Sequence, residues 1–183
     1  MSTMKFRFSS LALPLLAVAL ATPAMCQGQT SPDSKEVSNL LSEVKTEAVE
    51  LRYDADQLKS FAHSTLSWQT HATKVEEIKE HINNAGATLT KLENAKNEAS
   101  PWQQRAIDQI TPMLKELASN TTATIEHLNQ KPKLLHTGPY VEYADANYEM
   151  ASNLAELISD YVDYGKSKAR SEELASKLEV PDR

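Results

Sequence analysis

The chain has 183 residues, a formal net charge of −6 and one cysteine. Its acidic balance argues against nucleic acid as a partner, because phosphate backbones are bound by basic surfaces. A single cysteine excludes a disulfide framework, a CxxCH haem attachment and a cysteine-ligated zinc site.

The N-terminal residues 1–26 have the order of a secretory signal peptide. Lys5 and Arg7 precede an unbroken apolar run from Leu11 to Ala21, and small residues follow. The run is shorter than the roughly 20 apolar residues that a membrane span requires. We therefore expect no membrane span and an exported protein, either periplasmic or extracellular.

Two cleavage points satisfy the small-residue rule: one follows Ala19-Leu20-Ala21, and the other follows Ala24-Met25-Cys26. A lipid anchor on Cys26 is disfavoured, because Met25 stands where a lipobox carries a small residue. Removing residues 1–26 deletes two cations and no acid, so the net charge of −6 becomes −8.

The mature sequence indicates an all-α domain. Residues 27–32 are predicted to be a disordered segment, and residues 33–179 are predicted to form one domain. Glycine is rare, with four in the chain, and no alternating β-branched run is present. Four heptad-patterned stretches with short links predict an up-down-up-down four-helix bundle with long helices and an extended C-terminal helix.

The first two predicted helices span about 33–63 and 68–97, each with 3-4 apolar spacing over four heptads. Their seams are out of phase, which favours a turn near Ser64–Ser67 over one long helix with a stutter. Asp33 and Glu36 have capping-box spacing. The predicted inner rows are Val37, Leu41, Val44, Ala48, Leu51, Ala55, Leu58 and Ala62, then Trp68, His71, Val75, Ile78, Ile82, Ala85, Leu89 and Leu92.

The third helix is predicted to begin at Ser100, Pro101 and Gln103, which stand in the order of N-cap, first helical residue and capping-box residue. Pro112 lies inside this helix and is expected to kink it or loosen one turn. The predicted inner rows are Ile107, Ile110, Leu114, Leu117, Thr121, Thr124 and Leu128.

The fourth helix is predicted from Pro139 to about Leu178, after a link broken by Pro132 and Gly138. Small residues on its stripe should let a neighbouring helix come close. Its predicted inner rows are Tyr140, Tyr143, Asn147, Met150, Leu154, Leu157, Tyr161 and Tyr164, widened by Ala144, Ala151, Ile158 and Gly165.

This fourth helix is predicted to be about ten residues longer than the other three helices, and each residue adds 1.5 Å to its length. The overhang keeps Leu174 and Leu178 four residues apart on one face. We expect these leucines to fold against the end of the bundle or to pair with the segment before Asp33. The alternative is that they dock to another protein or to a second copy of the chain.

Histidine placement suggests one candidate ligand site. In an up-down bundle the first and third links share an end, which brings together His63, His71, His127 and His136. Imidazole is the commonest metal ligand and an axial haem ligand. These four are weak candidates, since only His71 falls on a seam and surface or core histidines are common.

No catalytic motif is present: the chain lacks HExxH, GxSxG and P-loop patterns and Glu-x-x-His pairs. We therefore predict no catalytic residue and no cofactor. The predicted function is a non-catalytic exported module that binds another protein or supports the envelope. The alternative is a metal- or haem-binding bundle that uses the histidine end, and an enzyme is the least favoured class.

The export prediction is tested by the intact mass of the protein recovered from the envelope or the medium. We expect a chain that begins between Thr22 and Gln27, because the N-terminal segment has the order that signal peptidase removes. A mature chain that still begins at Met1 would contradict the prediction.

Overall fold

The computed structural model describes residues 31–178, which form four α-helices: α1 (Lys35–Ala62), α2 (Trp68–Ala95), α3 (Pro101–Gln130) and α4 (Pro139–Lys177). A single 3-10 turn, Lys96–Glu98, lies between α2 and α3. Residues 31–178 contain no strand. The predicted signal peptide, its cleavage site and Cys26 lie outside this described range.

The four helices form the predicted up-down-up-down bundle. Each of α1 and α3 packs against both α2 and α4. The links 63–67 and 131–138 therefore lie at one end, called here the link end. No helix of residues 31–178 is long and apolar enough to cross a membrane.

The turn between α1 and α2 is confirmed, although no glycine or proline marks it. After Ala62 the chain turns through His63–Ser67, and Ser64 N–H donates to the Phe61 carbonyl at 2.9 Å. The Ser67 hydroxyl then accepts the Thr70 N–H and caps α2. His63 is thus the C-cap of α1 and Ser67 the N-cap of α2, so that one seam ends and the next begins in a new phase.

The predicted capping role of Asp33 is wrong. Ser34 is the N-cap of α1, and its hydroxyl accepts the Val37 N–H at 3.3 Å. The Asp33 carboxylate instead accepts hydrogen bonds from Trp102 Nε1 at 2.7 Å and from Lys168 Nζ at 2.8 Å. Tertiary partners on two other helices therefore compete successfully for this side chain.

The predicted start of α3 is confirmed, and its glutamine does more than cap. Ser100 N–H donates to Gln103 Oε1 at 3.0 Å, and Pro101 is the first helical residue. The same Oε1 accepts the Ser34 N–H of α1 at 3.0 Å, while Gln103 Nε2 donates to the Ser34 carbonyl at 2.8 Å. The helix continues through the exposed Pro112.

The core follows the predicted rows on α1, α3 and most of α2. All eight predicted positions of α1 are at most 1% exposed. Trp68 is the exception on α2: it is 47% exposed, because it stands at the first residue of the helix, where its neighbours are only a link.

The buried stripe of α4 is rotated from the predicted one. Tyr143, Met150, Leu157 and Tyr161 are only half-buried, and Tyr164 is 51% exposed. The predicted row of Tyr140, Asn147 and Leu154 is buried. The adjoining row of small residues is buried with it, because it allows α4 to lie close to both α1 and α3. This buried row consists of Ala144, Ala151, Ala155, Ile158 and Val162.

Leu154→Ala should lower the free energy of unfolding by about 2–5 kcal/mol, since Leu154 is 1% exposed and its loss leaves a cavity. Leu157→Ala is the matched control on the same helix. Its half-buried side chain predicts a clearly smaller loss in denaturant titrations. Equal losses of unfolding free energy in the two variants would mean that Leu157 is a core residue.

Candidate functional sites

Three of the four candidate histidines meet at the link end, around Tyr140 at the start of α4. The ring centroids of His71 and His127 lie 5.4 and 5.7 Å from that of Tyr140. His136, from the link, lies 6.0 Å from His71. The fourth, His63, stays apart: its Nε2 is 3.4 Å from Asp145 Oδ1 on the exposed surface.

His71 is fully buried and hydrogen-bonded on one side only. Its Nδ1 lies 3.0 Å from the Tyr140 hydroxyl, whereas Nε2 has no hydrogen-bond partner among residues 31–178. Burial, followed by the positive charge of His136, lowers the pKa of His71. Burial raises the pKa of Tyr140, so this phenol stays neutral and supplies no charge to an imidazolium.

The gathering of histidines does not complete a metal centre. No group of three or more His, Cys, Asp or Glu side chains in residues 31–178 is arranged to hold a metal ion. The buried Nε2 atoms of His71 and His127 both lack a partner within that range. The metal- or haem-binding alternative therefore rests on imidazoles alone and stays a prediction.

A second polar cluster, between α1 and α2, was missed by the sequence analysis. Asp54 is 7% exposed and accepts a hydrogen bond from Lys74 Nζ at 2.8 Å. His81 lies between Glu47, 2.8 Å from Nδ1, and Asp54, 3.4 Å from Nε2. The seven-residue spacing of Glu47 and Asp54 places both acids on one helical face and was the available indication. Because the charged side chains of the cluster are paired with one another, the cluster joins α1 and α2, and no bound ligand is needed to explain it.

At the opposite end of the bundle, α4 is joined to the segment before α1 and to α3. Lys168 Nζ pairs with Asp33 Oδ2 at 2.8 Å, and Asp33 directly precedes α1. Gly165 accommodates the Trp102 ring, because a Cβ there would lie 2.8 Å from the indole. This contact confirms that small residues on α4 admit a neighbouring helix.

Beyond Lys168, α4 continues as a regular helix to Lys177. Leu174 is 40% exposed and Leu178 is 69% exposed, so neither is buried against the described end of the bundle. The segment before Ser31, the other predicted partner of these leucines, lies outside the described residues. Residues 169–178 are called the tail below.

A shallow groove runs along the outer seam of α1 and α4. Two adjoining hollows of about 470 and 480 Å³ share Val49, Arg52 and Tyr148. Val49 is 37% exposed, and Tyr53 beside it is 60% exposed. Two unrelated apolar surfaces, this groove and the tail, are thus open to solvent.

The buried His71 predicts acid sensitivity. A folded-state pKa below the unfolded value of 6.5 means that only the unfolded chain binds a proton as pH first drops. The stabilising contribution is therefore present above pH 6.5 and is lost as pH falls towards the folded-state pKa.

We expect the free energy of unfolding to fall between about pH 7.5 and pH 5.5, and to fall less in His71→Gln. Denaturant titrations at both pH values give the change in the free energy of unfolding for each protein. Comparing the changes of the variant and the wild type cancels the contributions of the other titrating groups. Gln69→Ala, an exposed change that removes no titrating group, is the control and should retain the wild-type slope. Equal slopes in His71→Gln and wild type would contradict the assignment.

Comparisons with known proteins give no match for this chain, whether with protein-family models, curated proteins or solved structures.

Proposed function

We propose that this protein is an exported, non-catalytic module that binds protein through the tail of α4. One observation carries the proposal: α4 continues past Lys168, which pairs with Asp33, and presents two exposed leucines, Leu174 and Leu178. Export is supported by the N-terminal sequence order described above.

The two leucines form the apolar face of the tail. At four residues apart they lie on the same side of the helix. Burying one leucine completely stabilises a contact by about 1.5–3 kcal/mol, before the cost of association is subtracted. Two partly exposed leucines therefore support a weak, concentration-dependent association rather than an obligate complex.

The other faces of the tail keep it helical and solvated. Arg170 NH1 lies 3.0 Å from Glu173 Oε2, and Lys177 Nζ lies 2.5 Å from Glu173 Oε1. Such pairs at i,i+3 and i,i+4 stabilise a helix modestly. Both basic partners of Glu173 lower the pKa of its carboxyl, Lys177 more than Arg170. The tail can thus hold its leucines in a fixed geometry without a neighbouring helix.

The double variant Leu174→Asp, Leu178→Asp should abolish self-association of the mature protein, because two carboxylates replace the apolar face. Sedimentation velocity over a concentration series measures the association. Leu66→Asp, Leu134→Asp is the matched control, since these link leucines are 41% and 52% exposed and lie at the opposite end.

We expect the wild type and the control to associate with rising concentration and the tail variant to stay monomeric. A wild type that stays monomeric at the highest concentration, together with a tail variant that only loses stability, would overturn self-association through the tail. The tail would then belong to the fold.

A further inference from the structure

Ion pairs close the seam between α1 and α4 at both ends of the shallow groove. Lys45 Nζ lies 3.2 Å from Asp163 Oδ1, and Lys59 Nζ lies 3.7 Å from Asp145 Oδ1. In each pair the cation comes from α1 and the carboxylate from α4. The two pairs are about 21 Å apart along α1 at 1.5 Å per residue, so the groove is the stretch of seam between them.

Between these pairs the seam has carboxylates without partner cations. Glu50 and Asp56 of α1 and Glu156 of α4 line the two hollows. None of the three makes an ion pair within residues 31–178, and neither does Arg52, the one cation among the lining side chains of that range. The lining therefore has a formal charge of −2.

The register of the two helices brings like charges to the same level. α1 and α4 run antiparallel, and the flanking ion pairs fix which of their residues lie side by side. Midway between those pairs, Glu50 of α1 is about level with Glu156 of α4. Like charges at the same level repel each other, whereas a cation between them is attracted by both. A bound cation would therefore stabilise this part of the seam.

The carboxylates of the groove are too widely spread to hold a single metal ion. No group of three or more His, Cys, Asp or Glu side chains in the described part of the chain could hold one. Glu50 and Asp56 are about 9 Å apart along the axis of α1 at 1.5 Å per residue. The charge pattern therefore fits an organic chain that carries cations at intervals.

Aromatic and apolar side chains separate these carboxylates. Tyr53 is 60% exposed and Val49 is 37% exposed. Lys59 Nζ lies 4.8 Å from the ring centroid of Tyr148, so an ammonium of the chain itself already rests on one tyrosine of the groove. Tyrosine supplies a large contact area at a small cost in side-chain entropy. The groove can therefore contact both the apolar and the cationic parts of an amphipathic chain.

The Ser152 hydroxyl is a polar group that the fold leaves without a hydrogen bond. Its Oγ is buried, has no partner among residues 31–178 and lies in the lining of the groove. By contrast, Ser42 and Ser60 on α1 each donate to the carbonyl four residues earlier. A buried hydroxyl without a partner loses free energy, and a donor on a bound chain would supply the missing bond.

The shape of the groove favours a segment of a protein over a small molecule. A small-molecule site usually encloses most of its ligand, whereas this groove is open along one side. A helix in a groove makes contacts at i, i+3, i+4 and i+7. Cations seven residues apart on a helix are separated by about 10.5 Å, close to the spacing of the carboxylates on α1. The tail of a second copy is not such a helix, because residues 169–178 have no net formal charge.

We propose that the α1–α4 groove binds a basic amphipathic helix of another protein. The cations of that helix pair with Glu50, Asp56 and Glu156. Its apolar side chains lie against Val49 and Tyr53. This inference does not rest on the tail of α4, which is a separate surface.

Peptide binding by the mature protein tests the inference. The probe is a fluorescently labelled helical peptide with lysines at i and i+7 and leucines at i+3 and i+4, followed by fluorescence anisotropy. A peptide of the same composition with its lysines at i and i+2 is the control for spacing. We expect the first peptide to bind more tightly than the second.

Charge reversal in the groove supplies the matched comparison. The double variant Glu50→Lys, Glu156→Lys should weaken binding roughly tenfold, because it places cations opposite the lysines of the peptide. Glu80→Lys, Glu116→Lys changes the net charge equally at exposed sites on α2 and α3 and should weaken binding much less. Because all four sites are exposed, both double variants should fold like the wild type, which circular dichroism checks.

An aromatic truncation tests the apolar part of the contact. Tyr53→Ala should weaken peptide binding several-fold, because it removes contact area from the groove. Trp68→Ala removes an aromatic side chain that is 47% exposed at the link end and should leave binding unchanged.

The outcomes separate this inference from the proposed role of the tail. Weaker binding in the groove variants alone supports the groove, and unchanged binding in Leu174→Asp, Leu178→Asp shows that the tail is not involved. Equal losses in the two charge-reversal variants, or no peptide binding by the wild type, would overturn the groove and leave the tail proposal intact. Displacement of the peptide by spermine at an equal concentration would make the groove a site for small polycations and would overturn the protein partner.

Discussion

A buried carboxamide fixes the relative positions of the helices. Gln103 of α3 is fully buried, and it bonds to Ser34 and Ser38 of α1, a helix diagonal to its own. An unpaired amide there would cost the full desolvation of its polar atoms, so the pairing is strongly specified. The beginnings of α1 and α3 are held level as a result. Because Asp33 also binds Lys168, the same end of the bundle is tied to α4.

Heptad spacing was sufficient to predict the bundle, because rows of apolar residues recurring every seven positions must face a common core. It was insufficient for α4, where two neighbouring rows both look apolar. Ala144 and Ile158 are buried, whereas Leu157 is only half-buried. Which row turns inward depends on how closely α1 and α3 approach, and that distance is a property of the packed helices, absent from the pattern of any single one.

The histidine end was predictable in its location but not in its chemistry. Topology alone brings three imidazoles to one end, and it did so here. Whether a ring nitrogen finds a partner depends on side-chain rotamers: His71 binds Tyr140 through Nδ1 alone, and His63 turns outward to Asp145. The His81 cluster went unnoticed for a similar reason, since Asp54 resembles an ordinary surface acid until Lys74 covers it.

The two parts of α4 contribute differently to the stability of the bundle. Its first 30 residues bury the inner row and hold the bundle together, while the tail adds no core residue. A solvent-exposed helix of this length is marginal by itself and depends on the continuous helix behind it. Within residues 31–178, neither leucine at positions 174 and 178 is a core residue, and a polar side chain would keep the helix equally well and expose less apolar surface. The exposed leucines are thus the part of α4 that packing within residues 31–178 does not explain, and the proposed protein-binding role rests on them.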